Sequence, residues 1–120
     1  MKALIIDDEI DICYLLSGML TYKKMEVDYV TCLADAMVAI EKFKPEIVFL
    51  DNRLQDGKGV DFAGYIRSTI PDVQIAMITA YDTPADKKFA LAHGIDFFLG
   101  KPFTKDKIYK TLDEMISRHN

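Results

Sequence analysis

Apolar residues follow two alternating rhythms along the chain. Ala3-Leu4-Ile5-Ile6, Ile47-Val48-Phe49-Leu50, Ile75-Ala76-Met77-Ile78 and Phe97-Phe98-Leu99 are short and unbroken, and Val27 to Val30 suggests one more segment of the kind. Runs this short, rich in β-branched and aromatic residues, read as strands buried on both faces. Spaced stripes lie between them: Ile12, Leu15, Leu16 and Met19, then Leu33, Ala36, Met37 and Ile40, then Phe62, Tyr65, Ile66 and Thr69, and last Ile108, Leu112 and Met115. Spacing of three and four is that of one helix face. A further, short helix begins at Thr83-Pro84-Ala85-Asp86. Thr83 can cap it, Pro84 suits its first position, Asp86 faces the helix dipole, and Gly94 suits its left-handed end.

Five strands, each followed by a helix, predict an α/β fold: a doubly wound, five-stranded parallel sheet with helices on both faces, flavodoxin-like. The 120 residues suit one domain, 1–120, and are too few for an eight-stranded barrel. Half of them are hydrophobic, enough for a core without metal or disulfide staples. Cys13 and Cys32 have no CxxC spacing and read as small buried hydrophobes in a reducing compartment. No apolar run is long enough to span a bilayer, and Leu4-Ile5-Ile6 meets Asp7-Asp8-Glu9 at once, unlike a signal peptide. The expectation is a cytoplasmic protein with no membrane contact. The net charge of -4 argues against direct nucleic-acid binding. Lys87, Lys88, Lys101, Lys105, Lys107 and Lys110 form a local basic cluster, readable as solvated helix faces or as a partner surface.

The polar residues at the strand ends carry the chemistry. In open α/β sheets, ligands bind beyond the carboxyl ends of the strands. The first strand runs into Asp7-Asp8-Glu9, the third into Asp51 and the fourth into Thr79, and Lys101-Pro102 follows the fifth. Each has an ordinary explanation alone. The acidic trio could cap the first helix, Asp51 could sit in a turn, Thr79 could be a strand-end hydroxyl and Lys101 a solvated lysine. Together they converge on one rim. Clustered carboxylates raise one another's pKa values, a cation relieves that, and hard oxygen ligands suit Mg²⁺. A central carboxylate with a metal, a hydroxyl and an ammonium suits phosphoryl transfer. Gly57 and Gly59 form no Walker or GxGxxG pattern, so no nucleotide site is indicated.

Four segments in register, "LIIDDE", "IVFLDNRLQDGKG", "IAMITAY" and "FFLGKPF", resemble the receiver domains of bacterial response regulators over essentially the whole chain. The resemblance implies a chemotaxis-receiver-like strand order of 2-1-3-4-5. It implies that Asp51 accepts a phosphoryl group from a sensor histidine kinase or phosphotransfer protein. Asp8, Asp51 and the backbone carbonyl of Arg53 would hold Mg²⁺, with Asp7 acting through a metal-bound water. Thr79 and Lys101 would bind phosphoryl oxygens, and Thr79 and Phe98 would form a switch. An output partner would read the change, with a dimer through the fourth helix, fifth strand and last helix as a candidate. The domain would be no enzyme beyond its own phosphorylation and dephosphorylation. The Lys101-Pro102 bond is often cis in relatives. Gln55 replaces a frequent proline, which predicts a looser loop after Asp51. Phe98 replaces a common tyrosine, and Ile95 a frequent small residue. Two other readings stand beside this one. An aspartyl phosphatase would want a second acid two residues after Asp51, where Arg53 sits. A receiver-like interaction module would not need the polar set. His93 and His119 read as surface histidines near helix ends rather than relay groups.

Overall fold

The computed structural model describes residues 1–119, the side chain of His119 excepted. Five parallel strands build one sheet: β1 (Lys2–Ile6), β2 (Glu26–Val30), β3 (Ile47–Asp51), β6 (Gln74–Thr79) and β7 (Phe97–Gly100). They lie in the order β2-β1-β3-β6-β7, which is the expected 2-1-3-4-5 once a short two-stranded ribbon, β4 (Arg53–Leu54) with β5 (Gly57–Lys58), is set apart. The helices are α1 (Ile10–Tyr22), α2 (Leu33–Phe43), α3 (Gly59–Thr69), α4 (Pro84–Ala92) and α5 (Lys105–His119).

Period-two alternation sends strand residues to two cores. Ala3, Ile5, Ile47, Phe49, Ala76 and Ile78 meet Leu16, Leu20, Ile108 and Leu112 of α1 and α5. Leu4, Ile6, Val48, Leu50, Ile75 and Met77 meet Ala36, Ile40, Ile66 and Ala90 of the other three helices. Every residue of β3 and β6 is buried, as their continuous apolar runs require. Among the described residues, no helix is long and apolar enough to cross a membrane.

Two helix stripes turn out narrower than their spacing predicts. Leu15 and Met37 are about half exposed, while α1 buries Cys13, Leu16, Met19 and Leu20, and α2 buries Ala36 and Ile40. Adjacent residues are 100° apart on a helix, and here Leu16 and Ala36 face the sheet while Leu15 and Met37 lie toward the helix's open side. Tyr65 packs partly buried against the core as its stripe predicts, and its hydroxyl reaches the surface to donate to Glu41 Oε1 at 2.8 Å. Cys13 is buried as expected, but Cys32 is only half-buried, at the mouth of α2. α4 starts as the sequence predicts, with a reciprocal Thr83/Asp86 capping box and Pro84 in its first turn. Ala90 is its one buried residue, so it is the most lightly anchored of the first four helices.

The segment after Asp51 is a tight hairpin rather than a loose loop. Arg53 pairs with Lys58 and Leu54 with Gly57. The Gly59 N–H then donates to the Asn52 carbonyl at 2.8 Å, and the Asn52 side chain accepts from Val60 N–H at 3.0 Å. Gly59 is packed so close that a β-carbon would collide with the Asp51 carbonyl oxygen and come 2.9 Å from Leu50 Cγ. Gly64, in the same helix, faces open space. Gly59→Ala should therefore lower unfolding free energy in urea by about 1–3 kcal/mol. Gly64→Ala should raise it by about 0.5–1 kcal/mol. Equal effects of the two substitutions would contradict the close approach.

Candidate functional site

Parallel pairing brings the strand ends together. Asp7 follows Ile6, which pairs with Leu50; Asp51 pairs with Ile78; Thr79 pairs with Gly100, just before Lys101. All the polar residues expected on one rim are found there. Oxygens of Asp7, Asp8 and Asp51 lie within 4.8 Å of one another. Asp7 is fully buried and Asp51 nearly so, while Asp8 is more open. Lys101 Nζ stands 3.0 Å from Asp7 Oδ2, 3.1 Å from Glu9 Oε1 and 3.7 Å from Asp51 Oδ1. The Lys101-Pro102 peptide is cis. Lys101 N–H donates to the Thr79 carbonyl at 2.7 Å, tying the fourth and fifth crossings of the rim to each other.

The acidic trio does not cap α1. Glu9 occupies the N-cap position without a side-chain cap bond, and Asp7 Oδ1 instead accepts from Glu9 N–H at 2.9 Å. Glu9 does make an unforeseen contact, with Lys101. Nothing in the local sequence signals a partner 92 positions away. Thr79 is buried, and its Oγ1 accepts from Tyr81 N–H at 3.1 Å, leaving its proton to donate. The Arg53 guanidinium lies 3.6 Å from the Tyr81 ring centroid, beside the rim. Phe98 pairs with Met77, two residues before Thr79, so the three share one sheet face. A cavity of about 190 Å³ opens beside Phe98, lined also by Asn52, Met77, Phe89 and Ala90. His93 is an exposed residue at the end of α4, its Nδ1 2.7 Å from the Phe89 carbonyl.

Burial and crowding set the electrostatics. Loss of water pushes Asp51 up to about 6, with the neighbouring Asp7 charge adding to the rise and Lys101 opposing it. Asp7 is also raised, by burial first, against the pull of the Glu9 N–H and Lys101. Burial works against the Lys101 ammonium, yet Asp7, Glu9 and Asp51 outweigh it and hold its pKa above the ordinary value. The Cys13 thiol, buried near Asp7, is pushed up to about 11 and is inert.

These residues fit a hard divalent cation. Their donors are carboxylate oxygens, two of them desolvated, and Asp7 Oδ2 is buried without a hydrogen bond, facing only the Lys101 ammonium among the described contacts. Such unmatched negative charge, open to solvent through Asp8, is what Mg²⁺ or Ca²⁺ neutralises. The trio is the kind of site at which receiver domains hold a metal.

The fold and this rim define a signalling domain that takes up a phosphoryl group. Residues 3–113 match the response regulator receiver domain model, and the chain belongs to that family. It is similar to the sensory transduction protein LytT of Bacillus anthracis, at 34% identity over 93% of this chain and 46% of that protein. It is similar as well to the transcriptional regulatory protein BasR of Escherichia coli (strain K12), at 32% identity over 100% of this chain and 54% of that protein. The chain thus spans about half the length of these relatives. The crystal structure of a two-component response regulator from Clostridium difficile superposes with a TM-score of 0.94 at 29% identity, covering 100% of this chain and 98% of that one.

The raised Asp51 pKa has a stability consequence. Native Asp51 keeps its proton to about pH 6, an ordinary aspartate only to 3.8, so the native state binds more protons between those values. Stability is greatest below the lower value and falls as pH rises through the upper one. In metal-free buffer, Asp51→Asn should stabilise the domain above pH 6 by on the order of 1–3 kcal/mol and hardly at all near pH 3.5. Urea melts at both pH values check this; an equal gain at both would show that the effect is not the Asp51 charge.

Proposed function

We propose that Asp51 is the phosphoacceptor of a two-component system, phosphorylated by a sensor histidine kinase or phosphotransfer protein, in a cytoplasmic regulator of which residues 1–120 form one receiver domain. The observation that carries this reading is the position of Asp51 between the Asp7/Asp8 carboxylates, within 4.8 Å, and Lys101 Nζ at 3.7 Å. An Asp51 carboxylate oxygen attacks the phosphorus of a phosphohistidine; a P–O bond forms, the P–N bond breaks, and the imidazole leaves with its electron pair and takes a proton from solvent. Asp8, Asp51 and the Arg53 carbonyl would hold Mg²⁺, with Asp7 reaching it through water. The ion supplies positive charge to the transferred oxygens.

The chain's own residues do the positioning. Lys101 is held beside Asp51 by two other carboxylates, so its ammonium can move to a phosphoryl oxygen without leaving the rim. Thr79 retains an unused donor proton that can serve another oxygen. Movement of Thr79 toward the phosphoryl group would free space on its own sheet face, and the cavity beside Phe98 gives that ring room to follow. Phenylalanine has no hydroxyl to strand, so its inward state costs no buried polar group. The light anchorage of α4 supports a rearranged face of α4, β7 and α5, read by an output partner or a second copy through differential affinity. No acid stands two residues after Asp51 to protonate a leaving group; Arg53 there lies against Tyr81, which disfavours the phosphatase reading.

With a small acyl phosphate donor and Mg²⁺, the parent should gain one phosphoryl group, mapped to Asp51 by mass spectrometry, and none in excess chelator. Asp51→Asn should remain unmodified; modification of another residue at the parent's rate would sink the assignment. Lys101→Ala should still accept the group yet lose the accompanying amide shift changes at Phe98 and along α5. Identical changes in that variant would remove Lys101 from the switch.

A further inference from the structure

The hairpin after Asp51 is anchored at its tip to a helix that has no cap of its own. α2 begins at Leu33, and its N-cap residue Cys32 makes no side-chain cap bond. Both carboxylate oxygens of Asp56 fill that role from the other loop. Asp56 Oδ1 accepts from Leu33 N–H at 2.9 Å and Oδ2 from Ala34 N–H at 3.0 Å. Those two bonds hold the Asp56 carboxyl below its ordinary pKa although the residue is open to solvent. Beside them, a β-carbon on Gly57 would come 2.9 Å from Leu33 Cδ1, and Leu33 and Leu54 pack on the same core. The other end of the hairpin is fixed by the Asn52 bonds to Gly59 and Val60. Arg53, whose carbonyl is the proposed metal ligand, sits between these two anchors, in the ladder with Lys58.

We propose that Asp56 is a positioning residue for the metal site: by clamping the hairpin tip to the start of α2, it holds the Arg53 carbonyl where the cation is bound. The role rests on the metal reading given above. Asp56 touches neither the metal nor the phosphoryl group. Arg53 lies in a strand of only two residues, a ladder too short to fix its carbonyl by itself, and a ligand that must be ordered on binding lowers affinity. Clamping removes that cost. It also makes the start of α2 responsive to the metal, because coupling between two sites acts equally in both directions.

The experiment is an amide chemical-shift titration with Mg²⁺ on the parent and four variants. Asp8→Asn should weaken binding, which tests the metal site itself. Asp56→Ala should raise the Mg²⁺ Kd roughly tenfold, the low end of what an outer support of a metal ligand is worth. Asp56→Asn keeps one acceptor and should fall between Asp56→Ala and the parent. Asp35→Asn removes a charge of the same sign from the same first turn of α2 but holds no hairpin, and should change Kd less than about twofold. Hydrogen exchange on the parent gives an independent reading without mutation: saturating Mg²⁺ should slow exchange at Leu33 and Ala34, and the Asp56→Ala variant should lose that slowing. Asp56→Ala matching Asp35→Asn while Asp8→Asn weakens binding would overturn the clamp alone. Unchanged exchange at Leu33 and Ala34 in the parent would overturn it as well. Unweakened binding in Asp8→Asn would overturn the metal site, and the clamp with it.

Discussion

Negative charge forced into a dehydrated rim is the constraint on which the rest of this structure depends. Asp7 and Asp51 are both nearly out of water, and their oxygens and those of Asp8 lie within 4.8 Å. Burial disfavours each charge and proximity disfavours them jointly. The fold imposes this directly. In-register parallel strands deliver their carboxyl ends to one edge, and two helical layers exclude water from the residues just before that edge. A single lysine, delivered by the loop after β7, partly offsets the repulsion. The remainder suits the rim to a cation, which is what the proposed phosphoryl uptake would draw on.

The loops around the rim are tied down unequally. On the β3 side, the hairpin is clamped at both ends, and the close contact of Gly59 with the Asp51 carbonyl leaves it little freedom. On the β6 side, Thr79 is followed by exposed residues and by α4, whose single buried residue is Ala90. A disturbance at the rim therefore meets a rigid wall on one flank and a light helix beside a cavity on the other. That asymmetry is what supports the proposed switch, in which a signal would pass Met77 and Phe98 toward the α4–β7–α5 face.

Much of this was legible in the residues. β3 and β6 were readable because a strand buried on both faces needs an unbroken apolar run, and the polar residue ending each run marks the rim. The capping box of α4 was readable because all its parts lie within four residues. Orientation of the stripes was less so: Leu15 beside Leu16, and Met37 beside Ala36, leave the buried member undecided until the sheet is in place. The convergence of the strand ends was legible, because parallel strands carry them to one rim, but individual pairings between distant loops were not. The Asp56 cap on α2 spans more than twenty residues, and Glu9 meets Lys101 across 92 positions. The missing proline at Gln55 pointed to looseness, whereas side-chain and ladder bonds from elsewhere supply the order that a proline would have given.

The most direct test of the account is the titration of the Asp51 carboxyl carbon itself, followed by NMR with and without Mg²⁺. In chelator it should titrate near 6, well above an ordinary aspartate at 3.8. Saturating Mg²⁺ should hold it ionised to a much lower pH, because the cation replaces the repulsion with attraction. An Asp51 that titrates at the ordinary value in both conditions would contradict the claim that the rim is built on unneutralised charge.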